Sequence, residues 1–205
     1  MSLAIDFNGA IEVSGGMRIS VVGLGRLGAP LVAVLASKGF EVIGVDRIPA
    51  QVSALRTGCA PVVEPGLQGL LAASLGRIDA TIDIQSAIAT SEVTFVVVPT
   101  PTRSDGSLST AHVISAIREI GTALRRKVDY HLVVVTSTVM PGSTGGPIRQ
   151  ALETSSGRNV GSDLGLCYNP EFIALGSVIS DMLRPDFVLI GESDARAGEI
   201  GRAHV

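Results

Sequence analysis

Three glycines and one acidic residue stand at a spacing that could hold two linked phosphates and a ribose. Gly23, Gly25 and Gly28 form a G-x-G-x-x-G pattern between a short apolar run and an Ala- and Leu-rich stretch, and Asp46 ends the next apolar run. Such glycines permit a tight turn, the approach of a pyrophosphate and close helix–strand packing, while the acid bonds the ribose hydroxyls. The pattern predicts a dinucleotide site that prefers NAD over NADP, because the Asp46 carboxylate would repel a 2′-phosphate. Arg47 weakens that preference, since an adjacent guanidinium could tolerate a phosphate.

Polar residues also follow three later apolar runs, where a sheet would place them at one edge. Thr100 stands in a rigid Pro-x-Pro segment, Thr138 lies among neighbouring hydroxyls, and Glu171 follows an Asn-Pro pair. Ligands of parallel sheets bind beyond the carboxyl ends of the strands, and a carboxylate there could act as a general base. Each segment alone is also typical of an ordinary turn or helix start. The segments are PTPT (99–102), TSTVMPGST (136–144) and NPEF (169–172).

The elements that would position these residues alternate along the chain. Predicted strands cover residues 18–22, 41–45, 93–98, 132–136, 164–168 and 187–190. Predicted helices cover 29–38 and lie around 49–57, 66–75, 109–126 and 145–154. Continuous apolar strands separated by helices indicate a parallel sheet covered on both faces. We therefore expect an α/β fold with a doubly wound parallel sheet, a Rossmann-like dinucleotide-binding domain.

Composition excludes several classes of protein. The 205 residues are 46% hydrophobic and 17% charged, with a formal net charge of −3, which argues against disorder and against a nucleic-acid partner. No apolar run is long enough to span a bilayer, and the first residues lack the pattern of a secretory signal. Cys59 and Cys167 lack metal-ligand spacing and are expected to be buried, reduced thiols. The histidines His112, His131 and His204 show no partner pattern and are expected to be ordinary surface or helix residues. We therefore expect a cytoplasmic protein with no metal site and no membrane partner.

Six stretches, taken together and in order, resemble the N-terminal domain of the UDP-glucose/GDP-mannose dehydrogenase family. They are GLGRLG (23–28), GVD (44–46), EPGL (64–67), VPTPT (98–102) with the DG of 105–106, TSTVMPGST (136–144) and NPEF through VLIG (169–191). Family members oxidise the C6 hydroxymethyl group of a nucleotide sugar to a carboxylate in two NAD-dependent steps. The resemblance thus implies an NAD-dependent oxidoreductase acting on a CH–OH donor, UDP-glucose 6-dehydrogenase-like, in polysaccharide precursor synthesis.

The resemblance also implies roles for individual residues. The NAD site would comprise Gly23, Gly25, Leu27, Gly28 and Asp46, with Thr100 and Thr138 approaching the cofactor. Thr138 would also help to hold a catalytic water. Glu171 would act as a general base or in thioester hydrolysis, and Phe172 and Ile173 would lie along the nucleotide-sugar substrate.

The chain departs from the family pattern at two positions. Gln51 stands where members often have Lys, and Leu175 stands where many have a second Glu. These departures suggest that one contact on the nicotinamide side of NAD is altered and that the chain belongs to a subfamily that uses a different sugar. Two alternatives stay open: a 3-hydroxyacid or 6-phosphogluconate-type dehydrogenase, against which EPGL and NPEF argue, and a non-catalytic NAD-binding module.

The resemblance sets the expected domain boundaries. We expect a loose extension over residues 1–16, the NAD-binding domain over 17–198, and a non-native tail over 199–205, where a helix breaks off with Gly201 inside it and no cap. The family's nucleophilic cysteine and catalytic lysine belong to a central helical and C-terminal region, before which this chain is expected to be truncated. The chain alone should therefore be inactive, and the full-length protein should be a homodimer.

Overall fold

A computed structural model describes residues 16–202 and two short strands before them. These are β1 (Ala4–Ile5) and β2 (Ile11–Glu12), which pair antiparallel. Apart from these two strands and residue 16, the expected loose extension over residues 1–16 lies outside the described residues. Residues 199–202 continue the last helix, whereas 203–205 lie outside the described part. That residues 199–205 are non-native stays a prediction.

A seven-stranded sheet forms the centre of the molecule. Its strands are β3 (Arg18–Val22), β4 (Glu41–Val45), β5 (Ile78–Thr81), β6 (Val93–Val96), β7 (His131–Val135), β8 (Leu164–Tyr168) and β9 (Gly191–Glu192). The order is β5-β4-β3-β6-β7-β8-β9, and every pairing is parallel except that of β8 with β9. The chain winds outward from β3 to β5 and then returns to place β6 on the other side of β3. This confirms the predicted doubly wound α/β fold, whose direction reverses between β3 and β6.

Helices cover both faces of the sheet. They are α1 (Gly28–Ser37), α2 (Pro49–Arg56), α3 (Leu67–Ser74), α4 (Ile84–Thr90), α5 (Ala111–Leu124), α6 (Arg149–Ser156), α7 (Val178–Leu183) and α8 (Ala195–Arg202). Val21 packs with α1, α3 and α7 in one core, and the next residue, Val22, packs with α4, α5 and α6 in the other. Successive residues of a strand point to opposite faces, so an uninterrupted apolar strand serves both cores. Among the described residues, no helix is long and apolar enough to cross a membrane.

The structure differs from the predicted elements at the edges of the sheet. The predicted strand 187–190 is not a strand: Phe187, Val188 and Leu189 are exposed, and the edge strand β9 follows them and runs antiparallel. Strand β5 and helices α4 and α7 were not predicted. Strand β5, with the sequence IDAT, is short and contains the exposed Asp79. Because it is an edge strand and pairs on one side only, it does not need to be apolar at every position.

Two expectations about single side chains are wrong. Cys59 is exposed, while Cys167 is buried as expected, and burial raises the pKa of its thiol to about 11. His131, expected at a surface or on a helix, lies fully buried at the start of β7, with Nε2 2.7 Å from the Thr94 hydroxyl. Burial lowers the pKa of this imidazole to about 3. His204 lies outside the described residues.

Candidate functional site

A cavity of about 690 Å³ opens at the carboxyl ends of the central strands, where the winding direction reverses. Among the residues predicted to form the site, seven line it: Gly23, Gly25, Leu27, Asp46, Thr100, Thr138 and Glu171. They come from the ends of β3, β4, β6, β7 and β8, so the fold brings together side chains that are far apart in sequence. This is where ligands bind in open α/β sheets.

The three glycines of the turn have different surroundings. Gly23 has φ +101°, and an added Cβ would lie 2.9 Å from the carbonyl carbon of Val97. Gly28 opens α1, and a Cβ there would lie 2.9 Å from the carbonyl carbon of Gly23 and closer still to its oxygen. Gly25 has no atom within 4 Å of its added Cβ, which would extend into open space. Gly23 and Gly28 therefore hold the turn closed, whereas Gly25 leaves its backbone open to a ligand.

Backbone hydrogen bonds fix the carboxylate of Asp46 beside this turn. Oδ2 accepts from the Leu24 N–H at 2.7 Å, and Oδ1 accepts from the Ile48 N–H at 2.9 Å. The Gly23 N–H also donates to the carbonyl of Val45 at 2.8 Å, which ties the turn to the end of β4. A carboxylate oxygen has two acceptor sites, so each oxygen keeps one for a ribose hydroxyl.

Ser137 joins the two hydroxyl-bearing segments beyond β6 and β7. Its Oγ accepts from the Val98 N–H at 2.8 Å and lies 2.8 Å from the Val98 carbonyl oxygen, to which it donates. Thr100 and Thr138 line the cavity on either side of this junction. The neighbouring Oγ1 of Thr136 is buried and has no hydrogen-bond partner among the described residues. A buried hydroxyl of this kind normally has a partner, and this one belongs to a residue that lines the cavity.

Glu171 lines this cavity and also a second one. The second cavity, of about 610 Å³, lies between α1, α7 and the segment after β8, and Lys38, Phe172 and Ile173 line it as well. Burial raises the pKa of the Glu171 carboxyl, and the charge of Lys38 opposes the shift. Burial also lowers the pKa of Lys38, opposed by the charge of Glu171. A carboxyl with a raised pKa beside two cavities is suited to accept a proton.

The EPGL stretch has a structural role that the sequence did not predict. Glu64 Oε1 accepts from the Val178 N–H at 2.9 Å, and Oε2 accepts from the Gly176 N–H at 3.1 Å. These bonds tie the loop before α3 to the start of α7 and to the turn that follows Glu171. Leu175, where the family often has Glu, is 61% exposed.

Several cavity residues were missing from the predicted site: Ile48, Ile82, Ile84, His112 and Glu119. Arg47 and Gln51, which the sequence placed near the cofactor without assigning them to the site, line the cavity as well. Ile82 and Ile84 follow β5, so they could be assigned to the cavity only after β5 had been recognised as a strand. Glu119 lies on α5, and nothing in its local sequence distinguishes it from an ordinary exposed helix residue. The Oε1 atom of Gln51 is buried without a partner in the described part of the chain. Among the described residues, no group of three His, Cys, Asp or Glu could hold a metal ion.

Comparison with known proteins identifies the family. The sequence profile of the UDP-glucose/GDP-mannose dehydrogenase family, NAD binding domain, matches residues 17–203. GDP-mannose 6-dehydrogenase of Pseudomonas aeruginosa is 39% identical over 90% of this chain and 43% of its own length, and UDP-glucose 6-dehydrogenase of Haloferax volcanii is 38% identical over 89% and 43%. A crystal structure of a ternary complex of the P. aeruginosa GDP-mannose dehydrogenase superposes with a TM-score of 0.88 over 91% of this chain and 43% of that one.

The chain thus spans less than half the length of these relatives. The family match covers every described element from β3 onward. It agrees with the glycine turn, with the Asp46 carboxylate fixed beside that turn and with the point where the winding of the sheet reverses. The chain belongs to the UDP-glucose/GDP-mannose dehydrogenase family, as an NAD-binding domain of that family.

Proposed function

We propose that the chain is the cofactor-binding part of a nucleotide-sugar 6-dehydrogenase, an enzyme that oxidises the C6 alcohol of the sugar to a carboxylate. The observation that carries the proposal is the position of Glu171, which borders both the cavity at the glycine turn and the second cavity. One carboxyl group can therefore face a cofactor on one side and a substrate on the other.

The first cavity fits NAD by its shape and by its donor and acceptor groups. The Gly25 backbone would approach the pyrophosphate at the start of α1, a ten-residue helix without a side-chain cap. Asp46 would accept hydrogen bonds from the ribose hydroxyls, and Thr100 and Thr138 would lie beside the nicotinamide. The unpartnered hydroxyl of Thr136 and the unpartnered amide oxygen of Gln51 belong to residues that line the same cavity. NAD, when bound, accepts the hydride removed from the substrate.

The second cavity would hold part of the substrate. Phe172 and Ile173 would lie along the nucleotide sugar, and the Glu171 carboxylate would take the proton of the C6 hydroxyl or of an attacking water, which Thr138 would help to hold. The GDP-mannose and UDP-glucose enzymes are 39% and 38% identical to this chain, which does not favour either sugar over the other. The substrate is therefore proposed as a class, a nucleotide sugar.

Calorimetric titration of the 205-residue chain tests the cofactor half of the proposal. We expect NADH to bind at one site and the Asp46→Ala variant to bind it more weakly, because about 1.5–3 kcal/mol is lost for each hydrogen bond to the carboxylate before water replaces it. No binding of NADH, or equal binding by the variant, would contradict the assignment.

A second experiment tests the substrate half. Saturation-transfer NMR should detect contact with UDP-glucose or GDP-mannose, and Glu171→Gln should alter it. With either sugar the chain alone should form no carboxylate product, because the second hydride transfer needs the family's nucleophilic cysteine, which belongs to a later region. That the full-length protein is cytoplasmic and a homodimer stays a prediction; sedimentation of the longer protein would test its oligomeric state.

A further inference from the structure

A basic residue beside the ribose-binding acid is paired with a carboxylate from a distant helix. Arg47 follows Asp46 directly, and its guanidinium forms an ion pair with Glu119 of α5 and donates to the Ser115 hydroxyl at 3.1 Å. The Ser115 hydroxyl in turn lies 3.4 Å from Glu119 Oε1. Asp46, Arg47 and Glu119 all line the first cavity.

This pairing bears on which dinucleotide the cavity accepts. NADP differs from NAD by a 2′-phosphate, and in dinucleotide-binding folds a nearby arginine accommodates that phosphate. Arg47 directly follows Asp46 and lines the cavity, so it has the chemistry and the position to do so. Nη2 of its guanidinium is already bonded to Glu119, however, so a phosphate bound through the other N–H groups would lie beside that negative charge and would meet a partly neutralised arginine.

We infer that Glu119 is a specificity-determining residue that prevents NADP binding by neutralising Arg47. With Asp46 and Glu119 charged and Arg47 positive, the three side chains carry a combined charge of −1. Replacing Glu119 by a neutral residue brings that sum to zero and frees the guanidinium. The inference rests on the proposed placement of the dinucleotide in the first cavity.

The exposure of the pair makes the test practicable. The side chain of Arg47 is 70% exposed and that of Glu119 is 42% exposed, and exposed ion pairs contribute little to stability. Glu119→Gln should therefore fold normally. Glu41→Gln is the matched control, because Glu41 is 41% exposed, forms a similar pair with Arg77 and does not line the cavity.

The measurement is the ratio of the NADPH and NADH dissociation constants of the 205-residue chain, determined by calorimetry at low and at high salt. We expect Glu119→Gln to shift the ratio towards NADPH by about 1.5- to fivefold at low salt, the range expected when one exposed charge pair is changed. High salt should reduce the shift. The double variant Arg47→Gln/Glu119→Gln should lose it, and Glu41→Gln should not produce it.

Three results would overturn the inference: an unchanged ratio in Glu119→Gln, a shift that survives in the double variant, or an equal shift in Glu41→Gln. These failures are distinct from a failure of the proposed function. If the unmodified chain bound NADH but the ratio did not respond, only the role of Glu119 would be rejected. If the unmodified chain bound neither dinucleotide, the placement of the cofactor and this inference would both be rejected.

Discussion

Two glycines of one turn should fail in opposite ways when each is replaced by alanine. Gly25→Ala places a methyl group in open space with no atom within 4 Å, and its φ lies outside the left-handed region. The fold should accept this change, and the loss of glycine freedom in the unfolded chain should add about 0.4–1 kcal/mol to the free energy of unfolding. Gly28→Ala instead forces a methyl group onto the carbonyl of Gly23, so α1 must move away from β3.

The magnitudes follow from these contacts. Overpacking of a rigid site costs about 1–3 kcal/mol, which for a domain of this size lowers the Tm of Gly28→Ala by about 2–12 °C. For Gly25→Ala, the methyl group lies where the pyrophosphate would meet the backbone. The loss of one hydrogen bond to a charged group, about 1.5–3 kcal/mol, corresponds to NADH binding about 10- to 150-fold weaker.

Thermal unfolding and NADH calorimetry on the same preparations separate the two effects. Gly69→Ala is the control, because Gly69 lies within helix α3, has no atom within 4 Å of its added Cβ and does not line the cavity. It should leave NADH affinity unchanged. If Gly25→Ala bound NADH as tightly as the unmodified chain, the pyrophosphate would not lie at this turn. If Gly28→Ala kept the unmodified Tm, the close packing of α1 on the turn would be refuted.

Three further predictions concern charge and hydrogen bonding. Burial raises the pKa of Glu171, so its charged form destabilises the folded state. Glu171→Gln should therefore unfold at a higher urea concentration at pH 7.5, and this gain should disappear below about pH 4. An unchanged urea midpoint at pH 7.5 would contradict this prediction. Because the pKa of His131 is lowered to about 3, the stability that depends on its neutral form is complete above about pH 6.5 and falls by about 1.4 kcal/mol per pH unit below it. The free energy of unfolding should differ less between pH 5 and pH 7 in His131→Gln than in the unmodified chain. An equal difference in the two proteins would refute the lowered pKa of His131. Ser137→Ala should lower the free energy of unfolding by about 1–3 kcal/mol, because the Val98 N–H loses its acceptor. The control Thr138→Ala, at an exposed position, should change it by less than about 0.5 kcal/mol. Equal effects of the two variants in urea denaturation would show that the Ser137 bond does not stabilise the fold.

The buried part of the fold was predictable because its sequence pattern has one physical explanation. Strands β3, β4 and β8 have the bounds that their apolar runs predict, since a strand covered on both faces is apolar along most of its length. The pattern failed where one-sided pairing or an exposed surface removes that requirement. Strand β5 contains an exposed aspartate, and the apolar run 187–190 lies largely exposed rather than in the sheet.

The site was predictable to the extent that its residues directly follow strands. Gly25, Asp46 and Thr138 each follow an apolar run, and their meeting in one cavity requires only that the strands be parallel and close together in one sheet. Glu119 and Gln51 could not be found in this way. They lie on helices, where assignment to the cavity depends on how the helix is rotated against the sheet, and that rotation is set by packing rather than by local spacing.

Contacts between distant segments explain why a site at the strand ends can be precise. The turn at Gly23 is bonded to Val45, the segment after β6 is bonded through Ser137, and the segment after Glu171 is held by Glu64. Each connection uses a backbone N–H as donor, so the position of the loop is fixed while most ligand-facing side chains remain free. Glu64 lines neither cavity, so Glu64→Ala should displace the segment after Glu171 without removing any group that contacts the ligand. Such a variant would weaken binding while every residue that lines the cavity is still present.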